Sequence, residues 1–287
     1  MIMFPTPSDT DSCKPWSELL LRRFGLALRE PQLSALVDLL PDRIRARGLP
    51  GCQAYYDLLA AEEEGGEEWT EIMERLVSHE TSFFRHPPSF EVLRTHVLPA
   101  LRRRPDVGNN QITMWSAGCS TGEEAHSLAM VAMSDPVVAG AFLVWGADFS
   151  LRTIATARRA RYSARALSAM PVDYRRLFVR TVNEGREGVI DPELCRHVRF
   201  LHINLHSACD LGLSYDVIFC HNVLIYFASS AISRFVAMLA SRLTLGGYLL
   251  LGPGEAPMHC PAGLEAFTVS GVRVYRRIGR VTREVRS

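Results

Sequence analysis

The chain has 287 residues, is 47% hydrophobic and 22% charged, and is therefore neither disordered nor fibrous. Its 32 basic and 31 acidic residues leave a net charge of +1, which argues against any general attraction to nucleic acid or to an anionic membrane surface. At ~100–200 residues per domain, one large or two unequal domains fit. Lys14 is the only lysine, so nearly all the positive charge sits on arginine. The seven cysteines (Cys13, Cys52, Cys119, Cys195, Cys209, Cys220 and Cys260) are odd in number, scattered and never in a C-x-x-C pair. That pattern argues against a disulfide framework or a structural zinc site and suits a reducing compartment. No apolar run approaches the ~20 residues of a membrane span, and the N-terminus lacks a basic stretch followed by an apolar one. The expectation is a soluble cytoplasmic protein without direct membrane insertion.

In chain order, residues 1–15 show no periodicity and read as a mobile lead-in. Residues 16–77 read as a small all-helical domain. Leu19, Leu20, Phe24 and Leu28 recur at three- and four-residue steps, as do Leu33, Leu36, Val37 and Leu40. Tyr55, Leu58 and Leu59 mark a third helix, and Trp69, Ile72, Met73 and Leu76 a fourth. The acidic, Gly-broken stretch 62–68 between them reads as a solvated loop. Residues 78–110 are a linker with an amphipathic helix over 89–103.

From residue 111 the texture becomes alternating strands and helices. Strands are predicted at 112–117, 142–147, 215–220 and 248–251, and helices at 122–133, 151–161 and 230–243. Such alternation argues for an open, mostly parallel sheet wound on both faces, extending to about residue 280. Residues 163–200 interrupt it with Pro171, Asn183-Glu184-Gly185 and short apolar pieces. They read as a helix and a small β excursion inserted into the α/β domain. Runs 266–270 and 272–275 around Gly271 form a terminal hairpin, and 281–287 a tail.

Three segments carry chemistry. Trp115-Ser116-Ala117-Gly118-Cys119-Ser120-Thr121-Gly122-Glu123-Glu124 lies between a strand and a helix, where small residues admit a ligand to unpaired N–H groups. Ser120 and Glu123 have capping-box spacing. The segment lacks both the dinucleotide and the P-loop glycine patterns, and its two glutamates suit a cationic or hydroxyl-rich ligand better than a phosphate. Asp148 ends a buried strand, where a carboxylate can accept both hydroxyls of a ribose. Cys220-His221-Asn222-Val223-Leu224-Ile225-Tyr226-Phe227 ends the third strand, with Asn222 and Tyr226 aimed at the same crevice. Each segment also has an ordinary reading, respectively a capped helix, an N-cap, and core packing. His202, His206 and Cys209 have helical metal-ligand spacing, but a strand at 200–205 splays them. Arg22, Arg23, Arg43, Arg45 and Arg47 read as a solvated face or a surface for an acidic partner, and Arg276, Arg277, Arg280, Arg283 and Arg286 as a solvated tail.

Taken together, Thr81, Phe83-Phe84-Arg85, WSAGCSTGEE, Asp148 and FCHNVLIYF resemble, in identity and order, the chemotaxis receptor glutamate O-methyltransferase (CheR) family. The resemblance covers about residues 16–277. It implies a Rossmann-like S-adenosylmethionine-dependent α/β domain with a small β-subdomain insertion, preceded by an all-α N-terminal domain. It also implies S-adenosylmethionine as cofactor, S-adenosylhomocysteine as product, and a chemoreceptor helical domain as partner. By matching motif positions, the cofactor contacts are His79, Thr81, Arg85, Glu124, Asp148, Asn204, Leu205, His221 and Asn222, and Arg85 and Tyr226 flank the reacting centre.

Three positions depart from the family pattern. His79 stands where Asn is usual, His221 where Arg is usual, and Gly252-Pro253-Gly254-Glu255 replaces Gly-His-Ser-Glu. They support one alternative, a non-catalytic cofactor-binding regulator; a methyltransferase acting on another protein or a small molecule is a further one.

Overall fold

The computed structural model describes residues 3–6, 10–63, 66–104, 111–206 and 213–279. Cys209 and the tail from Arg280 onward lie outside the described residues. Four helices come first: α1 (Thr10–Phe24), α2 (Glu30–Ala46), α3 (Cys52–Ala61) and α4 (Glu67–Leu76). Their apolar stripes meet in one core of Trp16, Leu20, Phe24, Leu36, Leu40, Tyr55, Leu59, Trp69 and Ile72. Helix α1 starts inside the stretch 1–15 that shows no periodicity, because Trp16 is buried in that core and the Cys13 thiol is buried against the Thr6 carbonyl.

The acidic stretch 62–68 is not wholly a solvated loop. Glu68 opens α4 with a fully buried side chain. It draws in Arg43, whose Nε donates to Oε2 at 3.1 Å, Arg47 at 2.6 Å and the Tyr55 hydroxyl at 2.6 Å. Two arginines of the supposed basic face therefore turn inward. Burial raises the pKa of the Glu68 carboxyl, but the donors Arg43, Tyr55 and Arg47 outweigh it and hold the group below its ordinary value.

The predicted helix over 89–103 is built from α5 (Pro87–Val92), one widened π turn (Leu93–Val97) and α6 (Leu98–Arg102). The widened turn precedes Pro99, which has no N–H to offer the carbonyl one turn back.

Among the described residues, seven strands form the main sheet: β1 (Ile112–Ala117), β2 (Phe142–Asp148), β6 (Val198–His202), β7 (Tyr215–Cys220), β8 (Leu243–Leu251), β9 (Leu264–Val269) and β10 (Val272–Arg277). Their order is β6-β2-β1-β7-β8-β10-β9, with the first five parallel and β10 antiparallel to both neighbours. Helices α7 (Glu123–Met133), α8 (Leu151–Arg159) and α12 (Ser229–Ser241) make the crossovers, with short helices α9 (Ala164–Leu167), α10 (Val172–Phe178) and α11 (Pro192–Cys195) between them. Strand β8 starts five residues before its apolar run because Leu243 pairs with Tyr215 across a register shift.

Strand β7 shows why the sheet is covered on both sides. Val217 and Phe219 pack into a core with α7 and the helix from Pro87, while Ile218 and Cys220 pack into a second core with α12. The insertion is a three-stranded antiparallel sheet of β3 (Arg161–Ser163), β5 (Glu187–Ile190) and β4 (Val179–Val182), in the order β3-β5-β4. The Tyr162 hydroxyl ties it to the loop after β1 by donating to the Thr121 carbonyl at 2.7 Å.

The chain runs outward from β1 through β2 to β6, then reverses through β7 to β8. The crevice at that reversal, beyond the carboxyl ends of β1, β2 and β7, is where open α/β sheets bind ligands.

Candidate functional site

That crevice holds a cavity of ≈280 Å³. His79, Thr81, Arg85, Glu124, Asp148, Asn204, Leu205, His221, Asn222 and Tyr226, ten positions from five separate stretches, all line it. The helical region closes one side through Phe24, Leu26, Met73 and Val77.

The loop after β1 is shaped by its small residues. Gly118 takes φ +81°, and a Cβ there would lie 2.4 Å from the Val223 side chain, so glycine lets the two loops meet. Ser120 takes φ +47°. Its N–H donates to Asp148 Oδ2 at 2.8 Å, and its hydroxyl donates to the His79 carbonyl at 3.1 Å. It therefore does not cap α7. Gly122, at φ +95°, is the cap residue, and the Glu123 carboxylate takes the Thr121 hydroxyl instead. The capping-box expectation fails because Ser120 serves its tertiary neighbours. Burial raises the Glu123 carboxyl above its ordinary pKa, against the opposing pull of the Thr121 hydroxyl.

Asp148 is likewise not the cap of α8. Ser150 takes that role, accepting the Thr153 N–H at 3.2 Å. Asp148 Oδ1 accepts the Ser150 N–H at 3.0 Å and the Thr153 hydroxyl at 3.2 Å. A carboxylate offers about four acceptor positions, so Oδ2, with one protein donor, keeps a place for a ligand hydroxyl.

Glu124 accepts the Ser116 hydroxyl at 2.7 Å and lies 3.0 Å from His221 Nδ1, a close contact poorly aligned for a hydrogen bond. His221 is buried, and its ring meets those of Phe219 and His86. Burial, and then the neighbouring His221, hold the His86 imidazole below its ordinary pKa. Both ring nitrogens of His221, and Nε2 of His79, are buried without a hydrogen-bonding partner among the described residues. The Cys119 and Cys220 thiols beside the cavity are pushed well up by burial, then by neighbouring carboxylates, and stay neutral.

Asn222 adopts φ +59°, and its N–H donates to the buried Glu255 carboxylate. The Tyr226 hydroxyl meets Ser78, and the Asn204 amide donates to the Arg23 carbonyl at 2.9 Å. Arg85 is exposed at the rim and spends Nη1 on the Glu80 carbonyl at 2.7 Å, which leaves its other N–H groups for an incoming anion. No group of His, Cys, Asp and Glu able to hold a metal ion occurs among the described residues.

Glu255 is the partner that reading the sequence missed. Its only signal is a glycine and a glutamate in Gly-x-x-Glu just beyond a buried strand. The edge toward the crevice is thus acidic, from Glu124 and Asp148, and among the described residues lining the cavity the rim carries Arg85 beside Glu80, so that a cation fits inside and an anion can meet Arg85 at the mouth.

Comparison with known proteins agrees with this chemistry. The family described as "CheR methyltransferase, SAM binding domain" matches residues 79–269. A probable chemotaxis protein methyltransferase of Rhizobium etli is 32% identical over 235 residues, 80% of this chain and 87% of that one. The chemotaxis protein methyltransferase of Escherichia coli is 30% identical over 265 residues, 90% of this chain and 88% of its own. Chemotaxis protein methyltransferase 1 of Vibrio cholerae is 32% identical over 245 residues, 83% and 80% of the two chains.

Proposed function

The chain belongs to the CheR methyltransferase family, and from that premise we propose that it esterifies glutamate side chains on the cytoplasmic helical bundle of a chemoreceptor. It is an S-adenosylmethionine-dependent methyltransferase of chemotaxis adaptation. Among the described residues no helix is long and apolar enough to cross a membrane, and we place its action in the cytoplasm beside the receptor's signalling domain.

The observation that carries the reading is the convergence of ten positions from five stretches on one cavity. The residues fit the cofactor in three ways. Asp148 keeps an acceptor place for a ribose hydroxyl. His79 and His221 each present a buried Nε2 without a hydrogen-bonding partner among the described residues. Glu124 and Asp148 put negative charge on the cavity wall, which would favour a cationic sulfonium there. Asn222, Asn204 and Leu205 complete the binding set. When bound, S-adenosylmethionine supplies a methyl group on a positively charged sulfur.

The chain's own residues then have a simple task. A glutamate acceptor, with a pKa near ~4.3, is already an anion at neutral pH, so no general base is required. With the cofactor held there, these residues would align an acceptor carboxylate oxygen with the methyl group that the cofactor would supply, the displaced sulfur keeping the electron pair of its former bond to carbon. Opposite charges vanish together, so the protein gains most from alignment and exclusion of water. Arg85 holds the carboxylate at the mouth by a two-pronged contact. Tyr226 lines the approach, and Phe24, Leu26 and Met73 keep that side dry. Each ester removes one negative charge from the receptor bundle, relaxing like-charge repulsion and biasing its signalling equilibrium.

The test is transfer of tritiated methyl groups to receptor-containing membranes from the source cell. Label released as methanol by base marks a carboxyl ester and supports the reading. Base-stable label means a different acceptor, and no label returns the chain to a regulatory role.

A further inference from the structure

The turn after β7 carries six cavity residues, among them His221, Asn222 and Tyr226, yet it has no regular element of its own beyond the single 3-10 turn Leu224–Tyr226. It also contains a non-glycine residue in the left-handed region, Asn222 at φ +59°. Asn tolerates that conformation better than most residues, but an irregular turn of this kind persists only where its surroundings over-determine it. The far end of the turn is tied to the helical region, through Ser78 and through the Ala27 N–H on the Tyr226 carbonyl, while its start is held by one side chain. Glu255 is 6% exposed, and its carboxylate collects three backbone donors. The Asn222 N–H reaches Oε2 at 2.7 Å, the Gly252 N–H reaches the same oxygen at 3.0 Å, and the Ile225 N–H reaches Oε1 at 3.2 Å. A Cβ on residue 252 would lie 2.1 Å from Oε2 and 3.0 Å from the Asn222 nitrogen, so Gly252 is what admits the carboxylate to the turn.

Resting on the reading of the cavity as the cofactor site, we propose that Glu255 is a positioning residue for that site. It touches neither cofactor nor acceptor. By bonding the N–H groups on both sides of Val223 and Leu224 it holds Asn222 in its left-handed conformation and sets where Tyr226 begins. Without it, the turn samples shapes in which Asn222 points elsewhere, and apparent affinity falls by the fraction of molecules still competent. Glu255 closes the Gly-Pro-Gly-Glu stretch, so the unusual Pro253 and Gly254, both exposed, lie in the lid of this clamp rather than in its grip.

Calorimetry with S-adenosylhomocysteine on the full chain tests this with Glu255→Gln, Asn222→Ala and the double variant. Glu255→Gln is expected to bind about tenfold more weakly, because one competent molecule in ten gives that factor. In steady-state assays the loss is expected in the cofactor KM, with kcat recovered within about twofold at saturation. The double variant is expected to lose no more affinity than Asn222→Ala alone, since the clamp acts through Asn222. Binding by Glu255→Gln within twofold of wild type, or losses that add in the double variant, overturns the proposal. If Glu255→Gln does not fold, Glu255→Asp carries the same test with the charge kept and the reach shortened, and undiminished affinity in that variant is equally decisive against it. Failure of the wild type itself to bind would instead sink the reading of the cavity, and the clamp with it.

Discussion

The hydroxyl of Tyr226 is closed from both sides by a single residue, Ser78, whose N–H it accepts at 3.1 Å and whose carbonyl it meets as donor at 3.2 Å. The phenol has one proton, and that proton is committed to the segment joining the helical region to the sheet. An acceptor carboxylate obtains it only by displacing Ser78. The linker and the acceptor therefore compete for the same donor at the mouth of the cavity.

Tyr226→Phe removes both contacts while keeping the ring. The expected result is a fall of about tenfold in kcat with about 1 kcal/mol lost from stability, since the bonds are partly exposed. Steady-state methyl transfer and thermal melts measure the two. An unchanged kcat would exclude the hydroxyl from the reaction and leave it a structural tie.

Asp148→Asn keeps the size of the side chain but removes a charge shared by three protein donors, and on the proposed reading by a ligand hydroxyl. Calorimetry with S-adenosylhomocysteine should show affinity lowered about tenfold, the cost of about one charge-assisted hydrogen bond. Affinity at the wild-type level would mean that the ligand hydroxyls do not use Asp148.

Glu68→Ala strands Arg43, Arg47 and Tyr55 around an empty place in the helical core. Breaking a buried ion pair costs about 3 kcal/mol or more, so the thermal midpoint should fall clearly while cofactor affinity in the surviving fold changes little. Because the folded carboxyl lies below its ordinary pKa, its stabilisation is complete above about pH 4.3 and fades as the solution is acidified through the folded value. The variant should show a shallower acid denaturation curve than the wild type.

His126, on the buried face of α7, gives an independent acid dependence. Burial pushes its imidazole down to about 4, opposed by the Ala157 carbonyl. A group depressed on folding stabilises above its unfolded pKa, near 6.5, and loses that contribution as pH falls toward the folded value. Denaturant titrations between pH 7 and pH 4 should show the wild type losing about 3 kcal/mol more than His126→Gln. Parallel curves for the two proteins would show that His126 takes up its proton without resistance.

Strands β1, β2 and β7 were legible because their apolar runs are short and end in small or polar residues. The sheet buries them on both faces, so nothing interrupts the pattern. What escaped was chemistry decided by distant neighbours. Glu68 sits in an acidic stretch that looks solvated, and only the approach of Arg43, 25 residues earlier, makes it a core residue. Ser120 and Glu123 have the right spacing for a cap, yet Asp148, 28 positions on, takes the serine N–H. The Glu255 clamp spans 33 residues to Asn222, and no local pattern announces such a contact. The ten site positions came from the family resemblance rather than from periodicity, and the structure brings all of them to one cavity.

Three consecutive residues at the end of β2 look in three directions. Asp148 faces the cavity, Phe149 stacks edge-on with Phe24 in the helical core at 5.0 Å, and the Ser150 hydroxyl donates to Glu74 of α4 at 2.9 Å. Arg152, a turn further on, adds a 3.0 Å ion pair to the same Glu74. A graft of the first four helices from a relative would therefore disturb the catalytic half unless matched partners for Phe149 and Ser150 travelled with it. In this chain the front segment and the cavity half are packed as one unit, and chimeras cut between them should be judged by whether they respect that junction.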